Sequence, residues 1–265
     1  MSLFLAGCPL WVTGSLLVLL PAVLAMCGLV LVRRHVGLAR LAHNNEVAGF
    51  KFAVVGVIYA VMLAFAVVVV WQRYNDAELA VIQEAGAAAT LYRLAAGPEP
   101  EAAQTRDALT NYLRSAIASD WPAMAREKVS PEVTAELNAL YAAALRLSQG
   151  GRPAAEVTEM FYQLDQMTQA RRSRLHLCFG VVPIVLWHAL ILGGALTVAF
   201  TFFFGTRNLR AQMLMTGVLA IIVFMGLFVI VSIEHPFTGP VHVGSGPLLQ
   251  VLADFVAAQE AVAAH

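Results

Sequence analysis

The side chains best placed to do chemistry lie in and around one apolar stretch, residues 52–71. His43-Asn44-Asn45-Glu46 leads into it, with Lys51 at its edge. Gln72-Arg73-Tyr74-Asn75-Asp76 leads out of it, followed by Glu78 and Glu84. Inside it, Ile58, Met62, Phe65 and Val69 recur near helical spacing, and Gly56, Ala60, Ala64 and Val68 recur every four residues. Charged side chains at a helix end, repeated around a symmetry axis, make rings that select ions, and an apolar ring between them gates by excluding water. A small-residue stripe allows close helix approach in lipid. The candidates are therefore His43, Asn44, Asn45, Glu46, Gln72, Arg73 and Asp76 at pore mouths, Ile58, Met62, Phe65 and Val69 at a neck, and Gly56, Ala60 and Ala64 at a packing face. Rings of Glu46 and Asp76 favour cations; rings of Arg73 or Lys51 favour anions.

Signatures of covalent chemistry are missing. There is no HExxH, no phosphate-binding loop and no nucleophile elbow, and the seven histidines are scattered. Cys8, Cys27 and Cys178 lie in or beside apolar stretches, which leaves no cysteine metal site or disulfide framework. No enzyme activity, metal or cofactor is expected.

The elements that must carry these residues are membrane helices. The chain has 265 residues, is 59% hydrophobic and only 13% charged, and has a mean hydropathy of +0.71. A soluble domain carries about twice that share of charge. Seventeen Lys and Arg against 17 Asp and Glu leave no basic field for nucleic acid. Four stretches reach the ~20 apolar residues that cross a bilayer: residues 10–32, 52–71, 177–204 and 213–233. Residues 72–176 hold 24 of the 34 charges. The expected organisation is a first transmembrane pair (1–71), an extramembrane helical bundle (72–176), a second pair (177–233) and a tail (234–265) with a short amphipathic helix.

The polar block reads as helices cut at Gly97-Pro98, Trp121-Pro122, Ser130-Pro131 and Gly150-Gly151 with Pro153. Its outer pieces meet the membrane without a breaker, so spans two and three extend into the bundle, the third as one helix from Ala154 to about Phe204. Pro183 and Gly193-Gly194 would let that helix bend. His188 is the one ionisable residue well inside a span, where a bond to a nearby carbonyl satisfies it. The loop after span one carries Arg33, Arg34, Arg40 and Lys51 against Glu46, and the loop after span three carries Arg207 and Arg210. The positive-inside rule puts both in the cytoplasm and the block outside, although Arg171, Arg172 and Arg174 flank span three on the outer side.

His43-Asn44-Asn45-Glu46-Val47-Ala48-Gly49-Phe50, then the run from Gly56 to Phe65, then Trp71 and Tyr74, resembles the bestrophin-like family of bacterial membrane proteins (DUF4239 type). Glu84-Ala85, Arg171-Arg172-Ser173-Arg174-Leu175, Pro183 with Trp187, and Pro236-Phe237-Thr238-Gly239 add to a resemblance that spans residues 10–255. It implies an all-α, four-span protein of the inner membrane, distantly similar to bestrophins, which are homopentameric and mostly anion-selective channels with an apolar neck on the second span. It thus implies inorganic ions and further copies of the chain as partners, a pentamer first and a tetramer second. The acidic calcium clasp of animal bestrophins has no counterpart here, and bestrophins keep their middle domain in the cytoplasm. The alternative to a channel is a membrane-anchored helical sensor or scaffold; a transporter would show repeat symmetry between the two halves.

Overall fold

A computed structural model describes residues 7–43 and 45–263, with side chains to residue 260. The described residues hold helices and no strand. In chain order these are α1 (Leu10–Val36), α2 (Leu38–His43), α3 (Asn45–Leu94), α4 (Pro100–Ser115), α5 (Pro131–Ser148), α6 (Ala154–Leu177), α7 (Ile184–Phe200), α8 (Leu209–Ile233) and α9 (Gly246–Ala263). Four of them, α1, α3, α7 and α8, are long and apolar enough to cross a membrane.

Proline sets most of these boundaries. Pro100 and Pro131 occupy first-turn positions, and Pro153 and Pro183 sit immediately before α6 and α7. A first-turn N–H has no helical partner, so losing it costs nothing there. Inside a helix the ring strikes the carbonyl four residues back. The chain meets this twice in the same way: Pro21 follows a π-helical turn at Ser15–Leu19, and Pro122 follows one at Ala116–Asp120. Trp121-Pro122 therefore does not cut the block as its letters suggest. The helix widens and continues through Trp121–Met124.

The chain divides into two compact units, with α3 running from one into the other. The first comprises Met1–Arg73, Gly180–His235 and Gly239–Val241. Its core is built where glycine lets side chains in. A Cβ on Gly194 would stand 2.8 Å from the Tyr59 hydroxyl, and one on Gly193 3.0 Å from the Tyr59 ring. Tyr59 is buried there and its hydroxyl donates to the Leu190 carbonyl at 3.2 Å. The glycine pair thus admits a ring from α3, and α7 runs through it unbroken. Close to the other end of α7, Asn45 pairs with the Gly205 backbone, donating to its carbonyl at 2.9 Å and accepting from its N–H at 3.0 Å.

The second unit comprises Tyr74–Phe179, Pro236–Thr238 and His242–His265. Its core joins Val81, Ala88 and Leu91 of α3 to Leu109, Leu113, Leu140, Leu147, Leu164 and Met167, all buried. The tail helix α9 closes on it: Tyr92 stacks on Phe255 at 3.9 Å and donates to its carbonyl.

One expected helix is broken. α6 ends at Leu177 and α7 begins at Ile184, so the third span starts seven residues later than hydropathy alone placed it. Pro183 cannot donate to the ladder and disfavours helical backbone at the residue before it.

Candidate functional site

Within the first unit Tyr59, Ala66 and Val70 of α3 are buried on one side; within the second Ala77, Val81 and Glu84 are buried. At about 100° per residue a flank roughly 80–160° round from the Tyr59 side collects Val54, Ile58, Val61, Phe65, Val69, Gln72, Asp76 and Gln83, while the directly opposite Val57, Ala64 and Val68 are exposed as well. Every one of these is exposed. Ile58 is 66% and Phe65 68% exposed, the reverse of what large side chains in an apolar core show. The exposed line is apolar through the middle and polar beyond it, with Lys51 at one end and Gln72 and Asp76 at the other.

The expected neck residues divide on this geometry. Ile58, Phe65 and Val69 lie on the open face. Met62 is half-buried and turned toward α7, where a Cβ on Gly193 would meet its Sδ-methyl at 3.2 Å. Val61, half exposed, lies between Ile58 and Phe65 on the open face.

Among the mouth residues, Glu46, Gln72 and Asp76 are exposed, and so is His43 at the end of α2. Asn45 is committed to Gly205, Arg73 is half-buried, and Asn44 lies outside the described residues. Glu84 is fully buried and cannot belong to a ring at the mouth. The small-residue stripe is left largely open among the described residues: Ala60 and Ala64 are exposed, and a Cβ on the half-buried Gly56 would meet no atom within 4 Å.

Two buried polar clusters absorb most of the other residues that carry the family resemblance. In the second unit Arg174 grips Glu84 with two bonds, Nε to Oε2 at 2.7 Å and Nη2 to Oε1 at 3.0 Å, and reaches Asp120 at 3.2 Å. Arg171 binds Asp120 at 2.9 and 3.2 Å, and the Tyr112 hydroxyl donates to Glu84 at 2.6 Å. The Arg174 guanidinium lies over the Trp121 ring, 4.5 Å from its centroid. Two acids and two arginines cancel, which a buried group of charges requires. The π-helical turn ends on Asp120, placing this acid and Trp121 side by side against Arg174. Burial would lower the Arg174 pKa, but the Glu84 charge and hydrogen bond outweigh it and raise it. Burial, with Glu84 beside it, holds the Tyr112 hydroxyl well above its ordinary range. Burial, with Glu127 adding to it, pushes the Cys178 thiol up to about 11.

In the first unit Trp187 donates its indole N–H to Glu234 at 3.1 Å, and the second Glu234 oxygen lies 3.7 Å from the His235 ring. Both residues are buried, over Gly180, where a Cβ would come within 2.8 Å of the imidazole. His188 bonds the Ile184 carbonyl of its own helix.

A sequence profile described as a Bestrophin-like domain matches residues 19–248. Comparison with curated protein sequences finds no match. Among solved structures, a bacterial bestrophin homolog from Klebsiella pneumoniae is similar with a TM-score of 0.69 and 14% identity, covering 90% of this chain and 98% of that one. A point mutant of that homolog gives a TM-score of 0.71 at the same identity and coverage. A crystal structure titled only as a membrane protein variant gives 0.70 at 13% identity, covering 90% of this chain and 97% of that one.

Proposed function

The chain belongs to the bestrophin-like family, whose bestrophins are ion channels, and on that premise we propose that it forms a homo-oligomeric, anion-conducting channel. Copies gather, five by analogy with bestrophins, with the open face of α3 toward a common axis. The observation that carries this reading is the exposed apolar line Ile58, Val61, Phe65 and Val69 on a helix whose Tyr59 side is packed. On a single copy such a line would face lipid, as apolar side chains of the other spans do, whereas a ring of copies makes it the wall of a narrow dry passage. Stripping hydration from an ion there sets the barrier. Lys51 stands in line with this face and raises the local anion concentration at that mouth; Asp76 marks the other.

The membrane is the plasma membrane of a bacterium. Arg171 and Arg174 are paired and buried, so of the three arginines beside the third span only Arg172 is exposed. The exposed cations Arg34, Arg40, Lys51, Arg207 and Arg210 then favour the two short loops in the cytoplasm and the bundle outside. Reporter fusions within the bundle and at the C-terminus test this side assignment.

Anion flux into liposomes tests the neck. Phe65→Ala widens a ring of aromatic side chains and is expected to raise flux at least about tenfold, equal to ~1.4 kcal/mol of barrier. Unchanged flux and selectivity would remove Phe65 from the pathway.

A further inference from the structure

The loop end of the first unit gathers cations that have no acid to pair with. Arg33 is fully engaged: it donates to the Thr206 carbonyl at 2.8 Å, to Gln212 Oε1 at 3.0 Å and to the Arg207 carbonyl at 3.3 Å. The Gln212 amide donates in turn to the Phe204 carbonyl. These bonds pin the end of α1 to the start of α8. Gly205 presses against α2, where a Cβ would stand 2.6 Å from the Ala42 N–H nitrogen. The fold therefore brings Arg34 of α1, Arg40 of α2, Arg207 of the loop and Arg210 of α8 to one end of two spans. All four are exposed, and among the described residues no acid lies within ion-pair distance of any of them.

We infer that Arg34, Arg40, Arg207 and Arg210 form a docking surface for anionic phospholipid headgroups. They stand where apolar helices end, which is the depth of the lipid phosphates, and a long arginine side chain reaches that layer while its stem stays in apolar surroundings. A guanidinium matches a phosphodiester with paired N–H donors. Arg207 and Arg210 also flank the N-terminus of a 25-residue helix, whose first N–H groups carry partial positive charge, with one of them, at Ala211, capped by the Asn208 side chain. Two cations there repel that end of the dipole unless an anion lies between them. Among the described residues no acid is paired with them, and the phosphates of a membrane surface would supply the anion.

Thermal unfolding of the purified full-length chain reads this, in dodecylmaltoside micelles doped with phosphatidylglycerol or with phosphatidylcholine of the same acyl chains. At low salt the midpoint is expected to lie roughly 5 °C higher with the anionic lipid. In ~1 M salt, where the Debye length falls to about 3 Å, the difference should close. A chain carrying Arg34→Gln, Arg40→Gln, Arg207→Gln and Arg210→Gln loses the preference, the same four changes to Lys keep only the salt-sensitive charge part of it, and free glycerol phosphate gives no shift. Equal midpoints in the two lipids, a preference that survives salt or the glutamines, or an equal shift with glycerol phosphate would overturn the surface. If the glutamine chain does not fold, the salt series on the native chain and the lysine chain decide.

Discussion

Arg174 has none of its surface in water and touches two carboxylates, a methionine sulfur and an indole face. Removing one member of such a group strands a buried charge, so Arg174→Met is expected to destabilise the chain by about 3–5 kcal/mol in thermal unfolding. Glu84→Met added to it should restore part of that, because the Arg171–Asp120 pair left behind is neutral. A double change that is simply additive would show that the two residues do not act together. Tyr112 gives the pH dependence. Its pKa is raised in the fold, so its contribution is complete below the ordinary tyrosine value of about 10 and is lost as pH climbs through the higher folded value. Cys178 does the same between its ordinary value of 9.0 and about 11. Stability in detergent should therefore fall above pH ~9–10, and a Tyr112→Phe, Cys178→Ala chain should fall less steeply over that range. Glu84 and Arg174 were visible in the sequence as letters shared with a family. Their pairing was not, because 90 positions separate them, and nothing local distinguishes Glu84 from a solvated acid at a helix end.

The helices were legible wherever apolar spacing and proline agreed. The long α3, joining a span to the polar block, follows from a run without Gly-Pro signals, and the starts of α5 and α6 follow from Ser130-Pro131 and Pro153. Two features escaped because a proline and a glycine pair each have more than one physical use. Pro122 ends nothing, since the π-helical turn before it relieves the clash. Gly193 and Gly194 bend nothing, since they make room for Tyr59. Gly194→Val is expected to cost about 1–3 kcal/mol by overpacking that contact, read as a lower unfolding midpoint. Tyr59→Phe, which keeps the ring and drops only the bond to Leu190, should cost about 1 kcal/mol. A larger loss from the hydroxyl than from the added methyls would mean that the glycines serve another purpose. At the candidate site, periodicity supplied Ile58, Phe65 and Val69. Met62 against Val61 was decided by a tertiary neighbour, α7, that spacing along α3 cannot see.

Across the whole molecule, charge segregation and four apolar stretches specified a membrane protein with a helical block, and the family match covers most of the chain. The number of copies is a property of surfaces that a single chain leaves open, Ala60, Ala64 and the line from Val54 to Val69 among them. Particles imaged in detergent are expected to show rotational symmetry with α3 innermost; a monomer would end the channel reading. The most direct measurement is thiol accessibility during ion flux. In a chain freed of Cys8, Cys27 and Cys178, single changes to cysteine are made at Ile58, Val61 and Phe65 on the open face and at Tyr59, Ala66 and Val70 on the packed face. A charged, membrane-impermeant methanethiosulfonate added to the aqueous phase should react at the first three positions and block flux, leaving the other three untouched. Reaction and block at Tyr59, Ala66 or Val70, with Ile58, Val61 and Phe65 inert, would contradict the account at its centre.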